Sequence, residues 1–471
     1  MLERRLSLLQ AVSVNTSLMV GIGPFITIPL LVGSMDGPQS MVAWFLGAAV
    51  AICDGMVWSE LAAAFPGSGG TYHFYDAVYG DSRAGRLLKF VFVWQFLFSG
   101  PLEITSGAIG LTKYLGYFYP ALAQPAWHWD KVLPFLGGSV AWGQLAAMGV
   151  MILVTALAYR RITAAGRLMV VLWVGMLLTV GWVIVTALAH FDAARAFDFP
   201  QMAWGSGKLT FAALGGALTI AMYDLFGYYQ ICYMGDEVAD APRTIPRSIL
   251  LSVIGVALIY LVMNVGILGV IPWREVVKSE HVASDLMSRV RGSWAAGLAT
   301  AMIIWTALAS VYAALLGYSR VPYASARAGH FFKAFAATHP TGNFPHRAIL
   351  LMSGLATVAC LADLESVIKA LMTSRILIQF VGQIATVFYL RAQGRGSALI
   401  YRIPLFPVPA LVALAGWLFI FVTSDTPALV YGIASLVAGV AAFLIWDRTF
   451  GSAEGVGSGD DGSLASQGNS E

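Results

Sequence analysis

The stretch Val20-Gly21-Ile22-Gly23-Pro24-Phe25-Ile26-Thr27-Ile28-Pro29 interrupts an apolar run otherwise long enough to cross a bilayer. Two glycines and a proline stand at its middle. Each glycine costs a helix about 1 kcal/mol and proline about 3. A chain that keeps this weakness has a use for the break, because it frees N–H and C=O groups that a continuous helix would consume. At mid-membrane, such bare backbone is tolerated only where it lines a cavity or is buried in protein.

The surrounding composition says that this is a membrane segment. The 471 residues are 58% hydrophobic and 11% charged, where soluble domains carry about 25% charged residues. Mean hydropathy is +0.74. The expected fold is an all-α membrane protein of twelve spans. Their limits are 8–35, 39–65, 88–116, 139–159, 164–190, 209–235, 247–271, 295–319, 346–363, 366–390, 405–423 and 426–446. Residues 1–450 read as one membrane domain, and the Gly/Ser/Asp-rich tail 451–471 as disordered.

With the N-terminus inside, eighteen of the 28 Lys and Arg fall on the cytosolic side of the membrane and nine outside, with Arg375 inside a span. The positive-inside bias puts both termini in the cytosol of a cytoplasmic (inner) membrane. The basic start, Met1-Leu2-Glu3-Arg4-Arg5, has no small-residue cleavage site after it and reads as retained.

Several function classes drop out. Cys53, Cys232 and Cys360 all lie in apolar runs and suggest neither a disulfide framework nor a metal site. The seven histidines are scattered, without zinc spacing. They also form no cluster of catalytic types at one depth, so an enzyme is not expected. Pro66-Gly67-Ser68-Gly69-Gly70 lacks the Lys-Ser/Thr ending of a phosphate loop. The partners expected are the lipid bilayer and a small molecule, not nucleic acid, and no cofactor is implied.

Span six is also interrupted, at Asp224 and Gly227 in the aromatic-rich run Tyr223-Asp224-Leu225-Phe226-Gly227-Tyr228-Tyr229. Broken spans one and six occupy matching positions if 8–190 and 209–390 are two inverted halves, followed by two extra helices at 405–446. Paired breaks of this kind point to a transporter binding site.

Three stretches then resemble a family. Gly21-Ile22-Gly23-Pro24-Phe25 with Pro29 resembles the first-helix glycine motif of the amino acid–polyamine–organocation (APC) transporters. Ser59–Tyr75 (SELAAAFPGSGGTYHFY) is similar to that family's second-helix end and first cytosolic loop. Gly235–Leu250 (GDEVADAPRTIPRSIL) resembles its sixth-helix end. The resemblance implies a five-plus-five inverted-repeat fold and secondary active transport of amino acids by alternating access. It also implies substrate contacts at Gly21, Ile22, Gly23 and Tyr223–Gly227, with an aromatic lid from Tyr223, Phe226 or Tyr228. Two departures stand out. Ile22 replaces the family's serine, and Pro24 removes one N–H. Gly-Pro-Phe is closer to the polyamine-uptake branch, so a polyamine or cationic amino acid is the alternative substrate, and exchange the alternative to uptake. Span five has no lysine after Arg167, which leaves proton coupling open.

Ionisable residues inside spans are functional candidates, because each costs several kcal/mol unless paired or hydrated. Glu103 and Arg375 fall at similar depths in spans three and ten, counting about 1.5 Å per residue, and are expected to pair. The pair reads either as a structural lock, or as a proton carrier (Glu103) beside a carboxylate anchor (Arg375). Asp224 either binds a substrate amine or caps the second half-helix. Asp54 is either a proton-relay carboxylate or a partner for hydroxyls of a neighbouring helix. Glu60 reads as structural or part of an inner gate. Asp236 and Glu237 are expected to meet Arg4 or Arg5 at the inner mouth, or else to stand in a solvated charge cluster. Gln379 and Gln383 share one face of span ten.

Overall fold

The computed structural model describes residues 6–128, 139–159, 162–200, 211–340, 342, 344–394 and 400–450. The tail from 451 and the arginines at 4 and 5 lie outside them.

Span one is two helices, α1 (Leu8–Met19) and α2 (Gly23–Ser34), bent by 49° at their junction. A capping box starts α1, with the Ser7 hydroxyl accepting from Gln10 N and the Gln10 amide oxygen accepting from Ser7 N. The helix stops where Val20 leaves helical geometry. It restarts at Gly23, with Pro24 in the first turn, where its missing N–H is not needed. Pro29 lies inside α2, so the Phe25 carbonyl loses its helical donor. The Tyr114 hydroxyl supplies the replacement at 3.1 Å.

Span two is α3 (Met41–Ala64). A connecting helix, α4 (Thr71–Tyr79), precedes the long span three, α5 (Arg83–Leu115). A small antiparallel ribbon of β1 (Pro125–His128) and β2 (Ser139–Ala141) pairs Trp127 with Val140 ahead of α6 (Trp142–Ala158). Then come α7 (Ile162–Ala189) and the single turn α8 (Ala193–Ala196). Span six opens as α9 (Phe211–Leu225) and resumes as a 3-10 helix, Gln230–Glu237. Next are α10 (Ala241–Val270), the connectors α11 (Trp273–Val276) and α12 (Val282–Arg291), and α13 (Ser293–Tyr318) with its extension α14 (Arg320–Arg327). Span nine is α15 (His346–Ala359). Span ten is α16 (Leu364–Arg375), a π-helical segment Ile376–Val381, and α17 (Gly382–Ala392). The chain closes with α18 (Val408–Thr423) and α19 (Thr426–Phe450).

Each of the twelve expected spans corresponds to such a helix or broken pair. Among the described residues, eight helices pass as spanning by length and apolarity, the α1–α2 pair counts as one more, and three are shorter apolar helices. The 67% burial of the apolar window of α5, against 28% for α19, puts α5 at the centre and α19 at the periphery.

The two broken spans touch at their breaks. Gly227 has φ +107°, a conformation that strains any side chain. A Cβ there would also stand 2.9 Å from Leu18 of α1. The Asn15 side chain on α1 accepts from Ile231 N at 2.9 Å, so one half-helix caps the restart of the other span. Leu6 bridges in parallel to Val238, which ties the start of the described chain to the end of span six.

Candidate substrate cavity and buried charge pairs

The breaks of spans one and six open onto a small cavity. Three helix ends meet there: the C-terminus of α1 (Leu18, Met19), the N-terminus of α2 (Gly21–Gly23) and the C-terminus of α9 (Tyr223, Asp224). Among the described residues, the N–H groups of Ile22 and Gly23 have no backbone acceptor. A helix N-terminus carries roughly half a positive charge and a C-terminus half a negative one. The cavity is therefore polarised before any side chain is counted.

The side chains sharpen that polarity. Asp224 accepts from the Thr27 hydroxyl with Oδ2. Its Oδ1 is buried with no partner among the described residues, and Asp224 lines the cavity. Gly23 makes room for it, since a Cβ at Gly23 would lie 2.5 Å from Asp224 Oδ1. Opposite, the Tyr223 hydroxyl donates to Ser106 Oγ at 2.7 Å. Glu103, Ser106 and Gly107 of α5 form one wall, with Ser310, Val311 and Ala314 of α13 beside them.

Glu103 and Arg375 form the expected pair, with Arg375 Nη1 2.6 Å from Glu103 Oε2. Arg375 also donates to Ser99 Oγ at 3.1 Å and to the Tyr229 hydroxyl at 3.2 Å. Its guanidinium lies 5.3 Å from the Phe96 ring centroid and 5.8 Å from that of Phe226. Arg375 ends α16 where the π-helical segment begins. With Gln95, Ser99 and Gln379 it lines a second, smaller cavity.

Several sequence-read residues fall elsewhere. Tyr228 does not line the cavity. Gly227 turns the chain after Phe226, and the Tyr228 hydroxyl donates to Asp54 Oδ2 at 2.6 Å. Tyr223 and Phe226 are the span-six aromatics on the cavity wall. Asp224 is no N-cap, because it sits in the last turn of α9, and the 3-10 helix after the break has Tyr229 at its N-cap without a side-chain bond. Asp54 also accepts from Trp417 Nε1 of α18 at 3.0 Å. Glu60 is held by Arg391 through two bonds of 2.8 and 2.5 Å and accepts from Ile403 N at 2.7 Å, a structural clamp. Glu237 pairs with Arg320 at 3.4 Å. Gln383 donates to Thr71 at 2.7 Å.

Sequence reading missed Thr27 and Ser106. Helical spacing would have found both: Thr27 is four residues from Gly23, and Ser106 three from Glu103. It also missed a charge cluster beside α4, built around the buried Lys89. The Lys89 ammonium lies 2.6 Å from Asp76, 3.0 Å from Asp81 and 3.3 Å from His330 Nε2. Asp76, Asp81 and His330 bring their ligand atoms within 4.8 Å of one another, and the lysine already supplies their cation. Its hydrogen bond and charge hold the Asp81 carboxyl below the usual range.

A membrane bundle with two spans broken at one polarised cavity is the architecture of a secondary transporter. Sequence comparison agrees: the family model described as amino acid permease matches residues 6–443. The chain belongs to that family and is a multi-pass membrane transporter of amino acids. The serine/threonine exchanger SteT of Bacillus subtilis (strain 168) is 24% identical over 427 residues, covering 89% of this chain and 90% of that protein. The branched-chain amino acid permease BcaP of the same organism is 22% identical, with 95% and 94% covered. The human cystine/glutamate transporter is 24% identical, with 95% and 86% covered.

Proposed function

We propose that the cavity binds an amino acid as a zwitterion. Its carboxylate takes the N–H groups of Ile22 and Gly23, and its ammonium takes Asp224 Oδ1 and the carbonyl ends of α1 and α9. The carrying observation is the meeting of helix ends of opposite polarity beside an unpartnered buried carboxylate oxygen. The missing serine hydroxyl at Ile22 and the missing N–H at Pro24 leave a two-donor anion site, enough for one carboxylate. That pair of donors favours an amino acid over a polyamine, which has no carboxylate to offer. The names of the relatives span hydroxylated, branched-chain and acidic substrates, so they leave the side chain open.

Transport proceeds by alternating access about the broken spans, with 8–190 and 209–390 acting as inverted halves. The Lys/Arg bias supports a cytoplasmic membrane location with both termini inside.

The test is counterflow in proteoliposomes with serine, leucine, alanine, glutamate, arginine and putrescine. At least one amino acid exchanges, and putrescine does not. Asp224→Asn weakens amino acid exchange several-fold. Exchange of putrescine alone, abolished by Asp224→Asn, would replace this reading with the polyamine one.

A further inference from the structure

Two carboxylates buried within the spans, Asp54 and Asp224, are held by neutral donors alone among the described residues. The other span acids have cations: Glu103 has Arg375, Glu60 has Arg391, and Glu237 has Arg320. Asp224 lines the substrate cavity. Asp54 does not, and it is 1% exposed at the middle of α3. A lone carboxylate at this depth is costly and is retained where it does work.

Its surroundings connect it to the moving parts. From the break of span six, the Tyr228 hydroxyl bonds its Oδ2. From α18, Trp417 bonds its Oδ1. Trp417 stacks on Phe380 of the π-helical segment, with centroids 3.9 Å apart and planes 11° from parallel. Phe380 and Trp417 both pack against Phe226, which lines the cavity. From α10, Ile249 and Val253 cover the adjacent Gly55. On α3 itself the titratable neighbours are Cys53 and Glu60, and Glu60 is already clamped by Arg391 of α17. Trp58, one turn on, stacks on Tyr229 at 4.4 Å. Thus α3 grips both residues that follow Gly227, one through Asp54 and one through Trp58.

We infer that Asp54 is the coupling site of the transporter, binding one proton that is carried together with the amino acid. As a carboxylate it accepts two hydrogen bonds and locks the span-six break against α3 and α18. As a carboxylic acid its oxygens are weaker acceptors, so the bonds from Tyr228 and Trp417 both weaken and the lock loosens. That switch sits two residues from Phe226. The proton binds an oxygen lone pair and later leaves it, and no other bond changes. The inference rests on the amino acid reading above and adds the ion to it.

The experiment uses the full chain in proteoliposomes loaded with a pH dye, with labelled serine, leucine and glutamate as probes. Adding the exchanging amino acid to the parent protein acidifies the lumen. Asp54→Asn loses that acidification and the pH dependence of net uptake, while counterflow falls by no more than about threefold. Trp417→Phe removes one donor to the charged form, so the acid-activated limb of net uptake moves up by about one pH unit. This second variant reads the site should D54N fail to insert. Counterflow without lumen acidification in the parent overturns the inference and leaves the amino acid reading intact, as does a D54N protein that acidifies like the parent. Absence of counterflow with every amino acid would overturn both.

Discussion

Glu103 and Arg375 meet at 2.6 Å between α5 and α16, and each faces a different cavity. Glu103 lines the wall of the substrate cavity, and Arg375 lines the smaller one behind it. Arg375 is 2% exposed, and its Nη2 has no partner among the described residues. The pair is thus a partition as well as a lock between spans three and ten.

Breaking such a pair from one side strands the other charge, at a cost of about 3–5 kcal/mol. Glu103→Gln and Arg375→Met each lower the thermal stability of the detergent-purified protein strongly. The double variant strands no charge and is more stable than either single one. A thermal double-mutant cycle checks this: equal or additive losses would mean that the pair does not hold the helices together.

The close approach at Gly23 makes a second expectation. Gly23→Ala drives a methyl group into Asp224 Oδ1, with 2.5 Å available. Overpacking of this kind costs about 1–3 kcal/mol; borne by the substrate-bound state, that weakens apparent affinity about five- to 150-fold. Gly21→Ala is milder, because its Cβ meets Ser310 Oγ at 2.9 Å and Ser310 Cβ at 3.0 Å, a smaller overlap than the 2.5 Å at Gly23. Concentration dependence of uptake distinguishes them, with KM rising far more for G23A. Equal KM values would mean that Asp224 is not pressed against α2 when substrate binds.

Much of this was legible in the sequence, for local reasons. Gly21, Gly23 and Pro24 break a helix by their own backbone chemistry, so the bend at span one needs no tertiary information. Glu103 and Arg375 were pairable because isolated charges in a bilayer demand partners at the same depth. The direction of Tyr228 was not legible, because it follows from the positive φ of Gly227. Lys89 is one of the eighteen Lys and Arg counted on the cytosolic side, yet its partner His330 is 241 residues away. Such a cluster is made by the fold and leaves no spacing in the chain. Asp224 read equally well as a cap because the exact end of α9 decides it, and helix ends are the least predictable part of a helix.

Tyr114 and Pro29 form a compensating pair one step removed from the substrate. Pro29 denies the Phe25 carbonyl its helical donor, and Tyr114 provides one at 3.1 Å. Tyr114→Phe therefore costs about 1–3 kcal/mol, the price of an unsatisfied buried carbonyl. In a Pro29→Ala background the helix regains its own N–H, and the same change costs measurably less. Thermal unfolding of the four proteins gives the coupling energy, expected at about 0.5–3 kcal/mol. A coupling of zero would mean that the Tyr114 hydroxyl does not serve that carbonyl.

His73 on the connecting helix α4 supplies a pH dependence outside the membrane spans. Burial lowers its pKa from the ordinary value of 6.5, and Asp236 and Asp76 only partly oppose this. The folded protein therefore binds this proton less readily than the unfolded chain. Below pH ~6.5 the unfolded state holds more protons, and stability falls as pH drops through the interval down to the folded value. Above that interval the contribution is fully present. His73→Gln removes the titration, so its melting temperature declines less steeply between pH 7 and pH 5 than the parent's. The comparison isolates His73 because the other titrating groups are common to both proteins. Parallel melting curves across that range would mean that His73 reaches water in the folded state and that α4 packs less tightly over Gly67 than the structure has it.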